Sequence, residues 1–122
     1  MKKMTRLAVG ISALLFLSAV GRAGQLVYLA TSKDKQITAF DLDPESGKLA
    51  PRFRFETPGN PGPLCFSPDR TFIYAALNGT PDAAAAVGTL ARSPDGSLKL
   101  VSIAAITGRT PYIRTDKTGA IL

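Results

Sequence analysis

The 122 residues contain no histidine and no tryptophan, and only one cysteine. Without histidine, a serine or cysteine nucleophile has no imidazole to act as its base, so Ser67 and Ser93 cannot belong to a triad of the usual kind. With a single cysteine as well, the common zinc spacings cannot be assembled and no intrachain disulfide can form. Cys65 sits in the apolar run Leu64-Cys65-Phe66 and reads as a small packed side chain. The 11 glycines are scattered at turns, so no glycine-rich phosphate cradle is present. The longest apolar run without a charge, residues 7–20, has 14 residues, which falls short of the roughly 20 that a bilayer-spanning helix needs.

That run has the context of a targeting segment. Lys2, Lys3 and Arg6 precede it, and Gly21-Arg22-Ala23 follows with small residues where a signal peptidase reads. Residues 1–23 are therefore predicted to be a helical secretory signal peptide, with an uncleaved membrane anchor as the alternative, and the protein to be periplasmic or secreted. The formal net charge is +6, but these 23 residues hold four basic and no acidic side chains, so residues 24–122 keep 11 basic against 9 acidic and a net +2. Most of the basicity belongs to the signal. No stripe of Lys or Arg interleaved with aromatics remains, and nucleic acid is excluded as a partner.

The remaining sequence says nearly the same thing twice. Leu26-Val27-Tyr28-Leu29-Ala30 returns 46 residues later as Phe72-Ile73-Tyr74-Ala75-Ala76, and Gly47-Lys48-Leu49 returns after 49 as Gly96-Ser97-Leu98. A third pair runs from Pro63-Leu64-Cys65-Phe66-Ser67-Pro68-Asp69 to Pro111-Tyr112-Ile113-Arg114-Thr115-Asp116, 48 residues on at the proline. A period of roughly 40 to 50 residues built from short apolar strands and turn residues is the spacing of a β-propeller blade.

Strands are predicted at residues 25–30, 36–43 and 49–55, the second by its alternation of polar and apolar side chains. Pro44-Glu45-Ser46-Gly47 makes the turn between the last two. The stretch 57–63 has three prolines and two glycines and reads as an irregular loop that resets the chain. Residues 64–67 and 71–77 follow as strands about a turn at Pro68-Asp69-Arg70, and Asn78-Gly79-Thr80-Pro81-Asp82 reads as another turn. Residues 83–89 begin with four alanines that favour helix, yet they occupy the slot of the 36–41 strand and are predicted as strand. Residues 98–106 close the second copy. Residues 108–111 repeat the resetting loop, 112–116 open a third unit, and 120–122 look like the start of a strand.

Taken in order, Val27-Tyr28-Leu29-Ala30, Ile37-Thr38-Ala39-Phe40-Asp41-Leu42-Asp43, Ser46-Gly47-Lys48-Leu49 and Phe66-Ser67-Pro68-Asp69-Arg70-Thr71-Phe72-Ile73-Tyr74-Ala75-Ala76 resemble the lactonase family of seven-bladed β-propellers. This family includes the propeller-type 6-phosphogluconolactonases and the carboxymuconate lactonizing enzymes of fungi. The resemblance covers residues 26–122. It implies an all-β, incomplete propeller over residues 24–122 of about two blades of four-stranded antiparallel sheet, with strands of blade one in 26–55, blade two in 63–106 and the start of blade three in 111–122. It makes 64–67 an inner strand and 98–106 an outer one, and it places the first strand of the chain second in its blade. The sequence is thus expected to be an N-terminal fragment of a ring, whose open blade edges invite self-association.

The resemblance also implies a function. Full-length relatives would hydrolyse a sugar-derived lactone without metal, nucleotide or other cofactor, and this chain would be a truncated, inactive form. Two alternatives stay open: a non-catalytic extracytoplasmic module that binds a protein or glycan, and a carboxymuconate-type cycloisomerase. Opening a lactone needs a base and donors for an oxyanion, and an anionic substrate asks for arginine. Arg109, Tyr112 and Arg114 are the candidate substrate-binding residues, beside the inner-strand position of the third unit. The family often has a histidine near the position of Ile113, so the catalytic residues stay unassigned. Asp69 and Asp116 each begin a turn, and their expected role is to cap backbone donors.

Overall fold

The computed structural model describes residues 24–120; the predicted signal segment and the last two residues lie outside the described residues. Seven strands form two antiparallel sheets: β1 (Gln25–Thr31), β2 (Gln36–Leu42) and β3 (Leu49–Glu56) in one, and β4 (Asn60–Phe66), β5 (Phe72–Thr80), β6 (Ala83–Arg92) and β7 (Leu98–Ala105) in the other. Strands follow one another in chain order within each sheet. The described residues contain no helix. The four alanines at 83–86 are strand, because they continue β6, which pairs with β5 and from Ala86 onward with β7, and this pairing outweighs a helix preference of under about 1 kcal/mol per residue.

The repeat seen in the sequence recurs in the hydrogen-bond register. Tyr28 faces Ala39 and Ala30 faces Ile37, as Tyr74 faces Thr89 and Ala76 faces Val87. The register shifts in the first sheet between Ala39 and Phe40 and in the second between Thr89 and Leu90, and in each the outer strand carries the extra residue, Arg52 in β3 and Val101 in β7. A bulge adds local twist. It recurs at matching positions in the two blades.

Stacking puts the core between the sheets. Alternation along β5 directs Ile73, Ala75 and Leu77 at the first sheet, with Ala86 and Leu90 of β6 beside them. From the first sheet Ile37 enters this buried cluster, and Tyr28, Ala30 and Phe55 pack around it. Tyr28 also meets Phe66 edge to face, with ring centroids 5.9 Å apart.

Three connections depart from the sequence expectation. The segment expected to be irregular enters strand at Asn60, since β4 is an edge strand whose prolines can face away from the ladder, and its register breaks between Pro61 and Leu64 to accommodate them. Asn78-Gly79 is not the turn: β5 continues to Thr80, Gly79 takes φ +68° within the strand, and Pro81-Asp82 turns the chain. Residues 112–116 form no strand. They lie next to β4 instead, where the Thr115 hydroxyl donates to the Phe66 carbonyl at 3.5 Å.

Candidate functional site

Antiparallel connection sorts the loops into two ends. At one end lie the turns 43–48, 67–71 and 93–97; at the other lie the hairpins 32–35 and 81–82 and the longer links 57–59 and 106–111.

The first end is closed by carboxylate-capped turns. Asp69 Oδ1 accepts from the Ser67 hydroxyl at 2.6 Å, the Thr71 hydroxyl at 2.7 Å and the Thr71 amide at 3.0 Å. These donors hold its pKa down at about 2, the Ser67 hydroxyl contributing most. Ser67 Oγ in turn accepts from the Phe72 amide at 3.0 Å, so its hydroxyl both donates and accepts within the turn. Asp95 accepts from the hydroxyl and amide of Ser97, which lower its pKa in the same way. Asp43 holds the Glu45 amide and the Ser46 hydroxyl, and Asp116 holds the Thr118 hydroxyl and the Ala120 amide. These carboxylates are turn caps, as expected of Asp69 and Asp116, and each accepts from hydroxyls and amides of its own turn.

The same end holds a clamp between the sheets that sequence reasoning missed. The Tyr28 hydroxyl donates to the Gly96 carbonyl at 2.5 Å and accepts from Arg92 Nε–H at 3.0 Å. Arg92 also lies over the Tyr28 ring, 5.9 Å from its centroid. Gly96 has φ +90°, and a Cβ there would overlap Leu26 Cδ1. Nothing in sequence links residues 68 apart, so no local signal could have found this contact. Arg52 adds a weaker tie, pairing with Asp41 at 3.5 Å and donating to the Asp95 carbonyl at 3.4 Å.

The loop end contains an open groove of about 430 Å³ lined by Asn60, Asn78, Gly79, Ala84, Ala85, Gly108 and Arg109. It forms because Asn60 and Asn78 are register partners at the ends of β4 and β5, and because the Ile106 amide bonds to the Ala85 carbonyl, which draws 108–109 over the end of β6. Arg109 is exposed and has no carboxylate within ion-pair distance among the described residues. Its guanidinium is available to an anion, and two neutral amides stand near it. The groove lining has no carboxylate and no cysteine, so it supplies no general base.

Of the predicted site residues, the structure brings Arg109 into this groove and leaves the other two out. Tyr112 is 69% exposed and Arg114 is exposed as well, while Ile113 between them is buried at 8%. The apolar residue anchors the segment and its neighbours face outward. Asn60 and Asn78 were missed, because one lies in a proline-rich stretch and the other precedes a glycine, and both patterns read as turns. Cys65 is half-buried, and burial pushes its thiol pKa up. Among the described residues no three His, Cys, Asp or Glu side chains gather as metal ligands, and no helix is long and apolar enough to cross a membrane.

A family model described as lactonase, 7-bladed beta-propeller, matches residues 22–122. The 6-phosphogluconolactonase of Xenorhabdus nematophila is 31% identical over 98 residues, covering 80% of this chain and 28% of that protein. Among solved structures, a putative 6-phosphogluconolactonase from Bacteroides uniformis superposes with a TM-score of 0.63 at 20% identity, over 75% of this chain and 27% of that one. A periplasmic gluconolactonase from Pseudomonas aeruginosa gives 0.53 at 22% identity, over 70% and 27%. At such identities the two structures speak for the fold. The chain spans 28% of the length of the relatives it matches.

Proposed function

The chain belongs to the seven-bladed β-propeller lactonase family, and on that premise we propose that the groove at its loop end is one wall of a site for a sugar-derived lactone carrying an anionic group. Lactone hydrolysis adds water to the ring carbonyl carbon, passes through a tetrahedral oxyanion and breaks the ring C–O bond. The ring oxygen leaves as a hydroxyl once it has taken up a proton, and the product is the open hydroxy acid. Arg109 fits the part of the group that holds a phosphate or carboxylate, and its planar fork does so in pairs of hydrogen bonds. The amides of Asn60 and Asn78 fit the part of donors to the oxygen on which charge builds. The general base lies outside the groove lining.

The observation that carries this reading is the convergence of two amides and an arginine without a carboxylate partner among the described residues in one groove of a lactonase-family chain. Its test is the hydrolysis of 6-phosphogluconolactone against the spontaneous rate. Loss of a charge-assisted contact worth about 1.5–3 kcal/mol predicts that Arg109→Ala raises KM by roughly ten- to a hundredfold while kcat changes less. Equal kinetics in the variant refute the assignment.

The absence of a base from the groove favours a second reading, in which the chain binds an anionic sugar derivative without turnover. Calorimetric titration separates the two. Heat of binding weakened by Arg109→Ala, with hydrolysis at the spontaneous rate, supports binding alone; no heat refutes both. Export through residues 1–23 belongs to either reading, and recovery of the protein in the periplasmic fraction tests it.

A further inference from the structure

At the end of the strands closed by carboxylate-capped turns, each turn holds a residue of positive φ whose amide bonds back across the turn: Gly47 to Asp43, Arg70 to Ser67, Gly96 to Ser93 and, beside Pro68, Gly119 to Asp116. At three of these positions the residue is glycine, and at the fourth it is an arginine held at φ +60°. An L side chain enters that region only at a cost in backbone strain. The repeats show that glycine makes the same kind of turn, so the turn itself does not require Arg70. What the arginine adds is its side chain.

That side chain borders a hollow of about 430 Å³ between the start of β1 and the ends of β4 and β6, walled also by Gln25, Leu26, Tyr28, Phe66 and Arg92. A propeller buries the faces of its sheets against one another and leaves the turns outside, so this end of the strands is surface in a complete ring as well. Arg92 uses its Nε hydrogen for the Tyr28 hydroxyl at 3.0 Å and an Nη1 hydrogen for the Arg70 carbonyl at 3.4 Å. These bonds fix the plane of the guanidinium and leave Nη2 without a hydrogen bond among the described residues. Arg70 is exposed, and its guanidinium makes no ion pair among them. No described carboxylate lines the hollow, and the neighbouring Asp69 is taken up by Ser67 and Thr71. Two positive charges thus share one hollow. Its remaining walls are the apolar Leu26, the 41% exposed Phe66 and the amide of Gln25.

We propose that this hollow binds a phosphate monoester carried on a small aromatic or apolar body. Such a phosphate carries close to two negative charges at neutral pH, which matches the two arginines. Their planar forks pair with its oxygens, with Arg92 already oriented by Tyr28. The body of the ligand then lies against Phe66 and Leu26. This site is at the opposite end of the strands from the groove of Asn60, Asn78 and Arg109, and it stands or falls independently of lactone hydrolysis.

Phenyl phosphate is the probe, followed by amide and guanidinium NMR signals of the full chain at low ionic strength, where screening is weak. Saturable shifts at Gln25, at the Arg92 Nε–H and around Arg70 are expected, with inorganic phosphate binding more weakly for want of the apolar contact. Arg70→Gly removes a charge-assisted contact and should weaken binding roughly ten- to a hundredfold. It should also leave the urea midpoint as high as in the parent or higher, because glycine relieves the strain. An arginine kept for structure alone would lower the midpoint and leave binding unchanged, and that result overturns the proposal. So do the absence of shifts with phenyl phosphate, shifts at Asn60, Asn78 and Arg109 alone, and equal affinity for inorganic phosphate.

Discussion

Replacing Gly96 with alanine separates packing between the sheets from backbone strain, because Gly47 is a control supplied by the repeat. Both glycines end a turn at the same place in their blades with positive φ, +90° and +71°. An L residue there costs roughly 1–2 kcal/mol in either turn. At Gly47 the added methyl meets nothing, whereas at Gly96 it must displace Leu26 and crowds the Tyr28 hydroxyl at 3.1 Å. Overpacking of this sort adds about 1–3 kcal/mol. Gly47→Ala should therefore cost about 1–2 kcal/mol and Gly96→Ala about 2–5 kcal/mol, a large part of the roughly 5–15 kcal/mol that holds a domain of this size together. Urea denaturation followed by far-ultraviolet circular dichroism gives both values. If the two variants melt alike, the clamp between the sheets is not a packed contact and the reasoning fails.

Tyr28→Phe removes a hydroxyl that bonds both Gly96 and Arg92 and is expected to lower stability by about 1–3 kcal/mol in the same denaturation. Asp69 has its pKa lowered to about 2 by its turn donors, against about 3.9 when unfolded. Its contribution is thus complete above pH 4 or so and is lost as pH falls towards about 2. Thermal melts across that window should show a steeper loss in the parent than in Asp69→Asn; equal slopes would contradict the capping role. Burial that raises the Cys65 pKa predicts slow alkylation by iodoacetamide at neutral pH and a fast reaction in urea, and equal rates in the two conditions would show an open thiol.

Much of the fold was legible because short-range pattern carries it. The alternation in Gln36–Leu42 and the repeat offsets placed both blades, and the repeat corrected the helix preference of the alanines at 83–86. The errors at Asn60 and Asn78 share a cause. Proline, glycine and Asn-Gly report local backbone freedom, while an edge position or a strand continuing to Thr80 is decided by partners elsewhere. Of the proposed site, Arg109 was a candidate from the sequence as a polar residue beside an inner-strand position, whereas Asn60 and Asn78 line the same groove only through register. The Tyr28, Arg92 and Gly96 clamp depends on stacking of the sheets, which no spacing in the sequence encodes.

The account rests on two sheets that share one core. Nuclear Overhauser contacts measured on the folded protein test this directly. Contacts from the Ile37 methyls into the cluster of Ile73 and Leu90, together with contacts from the Tyr28 ring to Gly96, are the predicted result. Cross-strand contacts within each sheet with none between them would contradict it.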